Sequence, residues 1–100
     1  MMKVKFEMVT SQETPVLVDF YADWCGPCQA MTPVLKEVAQ TLEGKVKIIK
    51  VDVDKNQPLA RKFGVRSVPT FILFKGGELI WRKGGMMTTR ELSALLANEI

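Results

Sequence analysis

From Val16 to Phe74 the chain alternates compact apolar runs with segments of helical periodicity, the pattern of an α/β fold. Val16-Leu17-Val18-Asp19-Phe20-Tyr21 is a run of β-formers broken only by one carboxylate. Runs of this kind are buried on both faces, as in a central strand. A turn over Ala22 to Pro27 leads into a helix reaching about Leu42. Met31, Leu35, Val38 and Leu42 give it one apolar face, Pro33 interrupts its hydrogen bonding, and Gly44 closes it. Val46 to Val53 reads as the next strand, and a strand–helix–strand sequence of this length predicts a right-handed parallel crossover. Pro58 to Phe63 suits a short helix ended by Gly64, and Thr70 to Phe74 a third strand. Gly76-Gly77 makes a two-residue hairpin turn into Glu78 to Arg82. The last helix begins near Thr88, where Thr88-x-x-Glu91 has the form of a capping box. Leu92, Leu95 and Leu96 supply its buried stripe, with Ile100 close to the same line. Near the N-terminus, Val4 to Val9 reads as an edge strand.

Composition narrows the chemistry more than the fold. At 100 residues, 47% hydrophobic and 25% charged, the chain has the makeup of one ordinary globular domain spanning residues 1–100. No apolar run approaches the ~18 residues of a membrane span, and the start has no secretory signal pattern, so a cytoplasmic location is expected. The net charge of +3, from 14 basic and 11 acidic residues, is dispersed and excludes a nucleic-acid footprint. There are two cysteines and no histidine. Without histidine there is no Ser–His or Cys–His hydrolase and no imidazole metal site.

Sulfur therefore carries the candidate chemistry. Cys25-Gly26-Pro27-Cys28 stands where a strand hands over to a helix, and Cys-x-x-Cys in a βαβ pattern reads as a redox pair. A helix start offers unpaired N–H groups and the positive end of a dipole, which favour a thiolate at Cys25. Cys25 is then the exposed attacker, and Cys28, one turn further in, is covered. Two bland readings compete. A structural zinc site needs four ligands and this chain has two thiols; a purely structural disulfide closing so short a loop restrains the unfolded chain little. Asp19 is the second candidate. A carboxylate inside a buried strand is costly, and desolvation raises its pKa toward neutrality, which suits proton transfer; a pairing with Lys50 or with backbone donors is the alternative.

Trp24-Cys25-Gly26-Pro27-Cys28 after Val18-Asp19-Phe20-Tyr21-Ala22-Asp23 resembles the active-site signature of the thioredoxin family. The similarity continues through Pro33, Lys50 to Asp54, Val68-Pro69-Thr70, Phe74 to Gly77 and Gly85, over about residues 15 to 100. The resemblance implies an α/β thioredoxin fold: a central mixed sheet of five strands, or four if the N-terminal segment adds none, flanked by helices. It implies a protein-disulfide reductase acting by dithiol–disulfide exchange, with Cys25 attacking and Cys28 resolving. Asp19 takes the place of the family's buried proton acceptor, and Lys50 that of the lysine beside it. Trp24, Gly26, Pro27, Val68, Pro69, Gly84 and Gly85 resemble the groove that receives the partner, with Val68 offering backbone hydrogen bonds and the Val68–Pro69 bond cis. The partners implied are disulfide-containing proteins and a thioredoxin reductase. A monomer with no bound cofactor is expected. Oxidising relatives usually carry His where Pro27 stands, so this chain is expected to give electrons away. Gly84 departs from the branched apolar residue common there. Two other functions share the same residues: a redox-independent binding module, and an oxidase or isomerase of an export compartment. Trp81, Met86 and Met87 fall near the rim without an assigned role.

Overall fold

A computed structural model describes residues 2–100, with side chains from Lys5 onward. In chain order the elements are α1 (Met2–Thr10), β1 (Val16–Tyr21), α2 (Gly26–Thr41), β2 (Lys47–Asp52), α3 (Gln57–Lys62), β3 (Thr70–Lys75), β4 (Glu78–Gly84) and α4 (Thr89–Ala97). The sheet has four strands among the described residues, in the order β2-β1-β3-β4. β1 runs parallel to β2 and antiparallel to β3, and β3 and β4 form an antiparallel hairpin. Among the described residues no helix is long and apolar enough to cross a membrane.

β1 is central because both of its faces are covered, as its unbroken apolar run requires; Val16 through Phe20 have no exposed surface. Alternation along the strand divides the core in two. Leu17 joins Phe71 and Leu73 against Met31, Leu35 and Val38 of α2 and Leu92 and Leu96 of α4. Val16, Val18 and Phe20 join Ile72 and Phe74 against Phe6 of α1 and Leu59 of α3. Asp19 shares the parity of Leu17, so its carboxylate points to the α2 side.

The segment read as an edge strand is helix α1. Val4, Phe6 and Met8 alternate like a strand, yet Met8 is 70% exposed while Phe6 and Thr10 are buried and Val9 is half-buried. The spacing that the core uses is therefore helical. Phe6 is the anchor: its ring lies 5.6 Å from both Phe63 and Phe74, edge-on to the latter. The Thr10 hydroxyl donates to the Phe6 carbonyl at 3.1 Å, and Gly77 N–H donates to Thr10 O at 3.0 Å, fixing α1 to the hairpin.

Elsewhere the turn chemistry decides. Gly76 and Gly77 both have positive φ, 59° and 83°, as a two-residue turn of matching twist demands. Thr88 and Glu91 complete the capping box reciprocally, each side chain taking the other's backbone N–H at 3.1 Å. Gly44 stands two residues beyond the cap of α2, and Glu43 also enters the left-handed region at φ 51°. Ile100 lies past the end of α4 and is 53% exposed, so the stripe ends at Leu96 with Leu95 half-buried beside it.

Candidate active site

The two cysteines sit where β1 hands over to α2. Cys25 is the residue capping α2, with extended backbone (φ −91°, ψ 110°), and Pro27 occupies the first turn, where a missing N–H costs nothing. The Sγ of Cys25 accepts the N–H of Cys28 at 3.1 Å. A free helical N–H thus points at the sulfur that must become negative. Cys25 and Cys28 are joined as a disulfide with their Cα atoms 5.3 Å apart, so the structure shows the oxidised form. In this form the expected contrast in exposure is absent: Cys25 is 4% and Cys28 3% exposed. The reason is the Ser67–Pro69 loop, which lays the Val68 carbonyl oxygen 3.7 Å from Cys25 Sγ and helps cover it.

Behind the sulfurs, Asp19 is fully buried, and neither carboxylate oxygen has a hydrogen-bond partner among the described residues. Among the described residues no backbone donor satisfies it and no ion pair joins it to Lys50. Burial pushes its pKa from 3.8 up to about 6, with the Lys50 ammonium pulling the other way. Lys50 is opposite Asp19 in the β1–β2 register, and its Nζ sits over the Tyr21 ring, 4.6 Å from the centroid. It also lines a pocket of about 90 Å³ together with Cys28, Tyr21, Ala22, Gln29 and Thr32. Lys50 therefore links the surroundings of Asp19 to those of Cys28, although Asp19 makes no hydrogen bond to either sulfur.

Around the disulfide the expected docking residues split into two flanks. On one, Trp24 is 72% exposed and Gly26 and Pro27 are open to solvent. On the other, half-buried Val68 precedes buried Pro69 through a cis bond, and the N–H of Gly85 donates to Pro69 O at 2.9 Å. That bond holds Gly84 and Gly85 beside Pro69; Gly85 has φ 87°, a conformation that favours glycine. Gly84 pairs with Thr70 at the end of the hairpin. Of the residues without an assigned role, Met87 is buried in the core, Trp81 packs against the same cluster, and Met86 is 54% exposed.

One residue of the site escaped sequence reasoning. The indole N–H of Trp24 donates to Asp54 Oδ2 at 2.9 Å. Asp54 is itself held by Asp52, whose Oδ1 accepts the N–H groups of Asp54 and Lys55 at 2.8 and 3.2 Å. The available signal was position: Asp52 ends a parallel strand and Val53 to Lys55 follow its carboxyl end, where α/β sheets build their sites.

The chain matches the family model described as Thioredoxin over residues 1–98. It is 44% identical over 92 residues to Thioredoxin 1 of Nostoc sp., covering 92% of this chain and 86% of that protein. It is 45% identical over 86 residues to chloroplastic Thioredoxin Y1 of Arabidopsis thaliana, covering 86% of this chain and half (50%) of that longer protein. Among solved structures, a mutant thioredoxin from Halobacterium salinarum NRC-1 superposes with a TM-score of 0.88 at 42% identity, over 96% of this chain and 83% of that one.

Proposed function

The chain belongs to the thioredoxin family of thiol–disulfide oxidoreductases, and on that premise we propose that it reduces disulfides of partner proteins with Cys25 as attacking and Cys28 as resolving thiol. The observation that carries this reading is the placing of Cys25 Sγ at the α2 cap, accepting the Cys28 N–H while bonded to the Cys28 sulfur. In the reduced protein, the Cys25 thiolate attacks one sulfur of the partner's disulfide. A Cys25–partner disulfide forms, the partner's S–S bond breaks, and its second sulfur leaves as a thiolate that takes a proton. The Cys28 thiol then loses its proton and attacks Cys25 Sγ, releasing the partner's first sulfur as a thiolate. Two electrons have passed to the partner, and Cys25–Cys28 is left oxidised.

Asp19 is the proton acceptor in the second step. Its raised pKa leaves it both protonated and ionised in useful fractions near neutrality, and Lys50, bordering the same pocket as Cys28, favours the ionised form. The partner's chain lies across Trp24, Gly26 and Pro27 on one side and Val68, Pro69, Gly84 and Gly85 on the other, with the Val68 backbone as its hydrogen-bond partner. Pro27 cannot stabilise a reduced thiolate as an imidazole would, so the pair donates electrons, as befits a reducing compartment such as the cytoplasm. A thioredoxin reductase restores the dithiol.

The test is insulin reduction driven by dithiothreitol. Cys25→Ser is expected to fall to the rate without protein, and Cys28→Ser to accumulate a mixed disulfide with insulin. Full turnover by Cys25→Ser would refute the assignment.

A further inference from the structure

Between α3 and β3, residues 63–69 bring the backbone of Val68 beside Cys25, and the middle of that segment does little to hold itself. The N–H groups of Arg66, Ser67 and Val68 have no hydrogen-bond partner among the described residues. Arg66 and Ser67 are exposed, and Val68 is half-buried against Ala22, Cys25 and Cys28. A segment that is to offer its N–H and C=O groups to an incoming strand cannot use them on itself, so its position must be set from outside.

The anchors lie at its two ends. Downstream, the buried Thr70 hydroxyl donates to Ser67 O at 2.7 Å, and Gly85 N–H donates to Pro69 O at 2.9 Å. Upstream, the chain after α3 folds back on the helix's last turn. Phe63 N–H donates to Leu59 O at 3.3 Å, Gly64 N–H to Arg61 O at 3.1 Å and Val65 N–H to Ala60 O at 2.9 Å. Phe63 and Val65 also pack by their side chains into the core on the α3 side. Gly64 between them is left-handed (φ 62°) and is held by its backbone groups alone. Arg82 supplies the remaining donors: Nη1 donates to Phe63 O, and Nη2 to Gly64 O at 3.3 Å.

The register of the hairpin explains why Arg82 reaches there. Arg82 is opposite Ile72 on β3, and residues directly opposite share a face of the sheet. Ile72 belongs to the core on the α3 side, so Arg82 rises on the face where α3 ends. Further along β4, Gly84 pairs with Thr70 and Gly85 reaches Pro69. The same strand therefore holds the segment at its start by a side chain and at its end by backbone. A guanidinium suits the first task, because its planar fork aims two N–H groups at two acceptors, whereas a lysine ammonium is a single point of charge.

We propose that Arg82 is a positioning residue for partner docking, fixing the Val68 backbone beside Cys25 by holding the Phe63 and Gly64 carbonyls. The proposal rests on the reading that Val68 receives the partner's chain. Without the fork, the partner must order the segment as it binds, which weakens docking and leaves the sulfur chemistry unchanged.

Initial rates of insulin reduction over a range of insulin concentrations test it, corrected for the folded fraction measured by urea unfolding. Arg82→Ala is expected to raise KM about fivefold with kcat within about twofold of wild type, and Arg82→Lys to fall between the two. Alkylation of Cys25 by iodoacetamide in the reduced protein should keep its pH dependence in both variants. In the free oxidised protein, relaxation dispersion at the Ser67 and Val68 amides should be larger in Arg82→Ala than in wild type. A wild-type KM in folded Arg82→Ala, with or without a loss of stability, overturns the proposal, and so does a fall in kcat at constant KM. If Arg82→Ala does not fold, Arg82→Lys decides by the same two constants. Failure of wild type to reduce insulin would refute the redox reading. The dispersion measurements use no substrate, so they would still decide whether Arg82 fixes the segment.

Discussion

Replacing Asp19 with Asn removes a charge the fold does not accommodate and keeps the shape of the side chain. The magnitude follows from the difference between two pKa values. In the unfolded chain the carboxyl titrates near 3.8, and in the folded protein burial raises it to about 6. The folded state thus holds the proton more tightly, and stability falls as pH rises between those two values. At 1.36 kcal/mol per pKa unit the full penalty is about 3 kcal/mol above pH 6; it is about half that at pH 5 and well under 1 kcal/mol at pH 4. With the wild-type side chain protonated at acid pH, Asp19→Asn is nearly isosteric with it there. The variant is therefore expected to match wild type near pH 4 and to exceed it by up to about 3 kcal/mol at pH 7, raising Tm on the order of 10 °C for a domain this size. Urea unfolding of both oxidised proteins at pH 4, 5, 6, 7 and 8 measures the gap directly. A gap that stays constant with pH, or widens toward acid, would refute the argument, because Asp19 would then not be desolvated as an anion.

Asp19→Asn is expected to slow insulin reduction near neutral pH, and to remove from the pH–rate profile a wild-type step at about 6; an unaltered profile removes Asp19 from the mechanism. Trp24→Ala takes away a surface-exposed indole held by Asp54. It should raise KM for insulin several-fold while changing stability by less than about 0.5 kcal/mol, read by steady-state kinetics and urea unfolding. Leu92→Ala opens a cavity at a fully buried position between α4 and the sheet. It should cost about 2–5 kcal/mol in urea unfolding with the redox chemistry of the folded fraction intact.

The elements that could be read in the sequence are those whose local signal agrees with their tertiary place. β1 is an apolar run and is buried on both faces. Gly76-Gly77 reads as a hairpin turn and has the two positive φ values such a turn needs. Thr88 and Glu91 read as a capping box and cap reciprocally. α1 failed that agreement. Its period-2 pattern came from Met8, which faces solvent, while among the described side chains of α1 the core takes Phe6, Val9 and Thr10. In so short a segment one exposed methionine is enough to turn a helical pattern into a strand-like one. Ile100 failed for the complementary reason: periodicity continues past the point where the helix stops.

The site divides in the same way. Cys25 and Cys28 are local, three residues apart at an element boundary, so spacing alone brings them together. Asp19 could be singled out because a carboxylate amid buried β-formers violates the pattern around it, and such violations concentrate where function outweighs stability. The Trp24–Asp54 bond spans 30 residues between the ends of two neighbouring parallel strands and leaves no trace in periodicity. The coverage of Cys25 by Val68, 43 residues away, is likewise a product of tertiary packing. These long-range contacts depend on β1, β2 and β3 lying side by side, so that Ala22, Val53 and Pro69 converge at one rim. The energetic conflict at Asp19 fits the same picture: the dry sheet centre that raises its pKa to about 6 leaves the carboxyl at the edge of ionisation near neutral pH, the state the proposed proton acceptor needs.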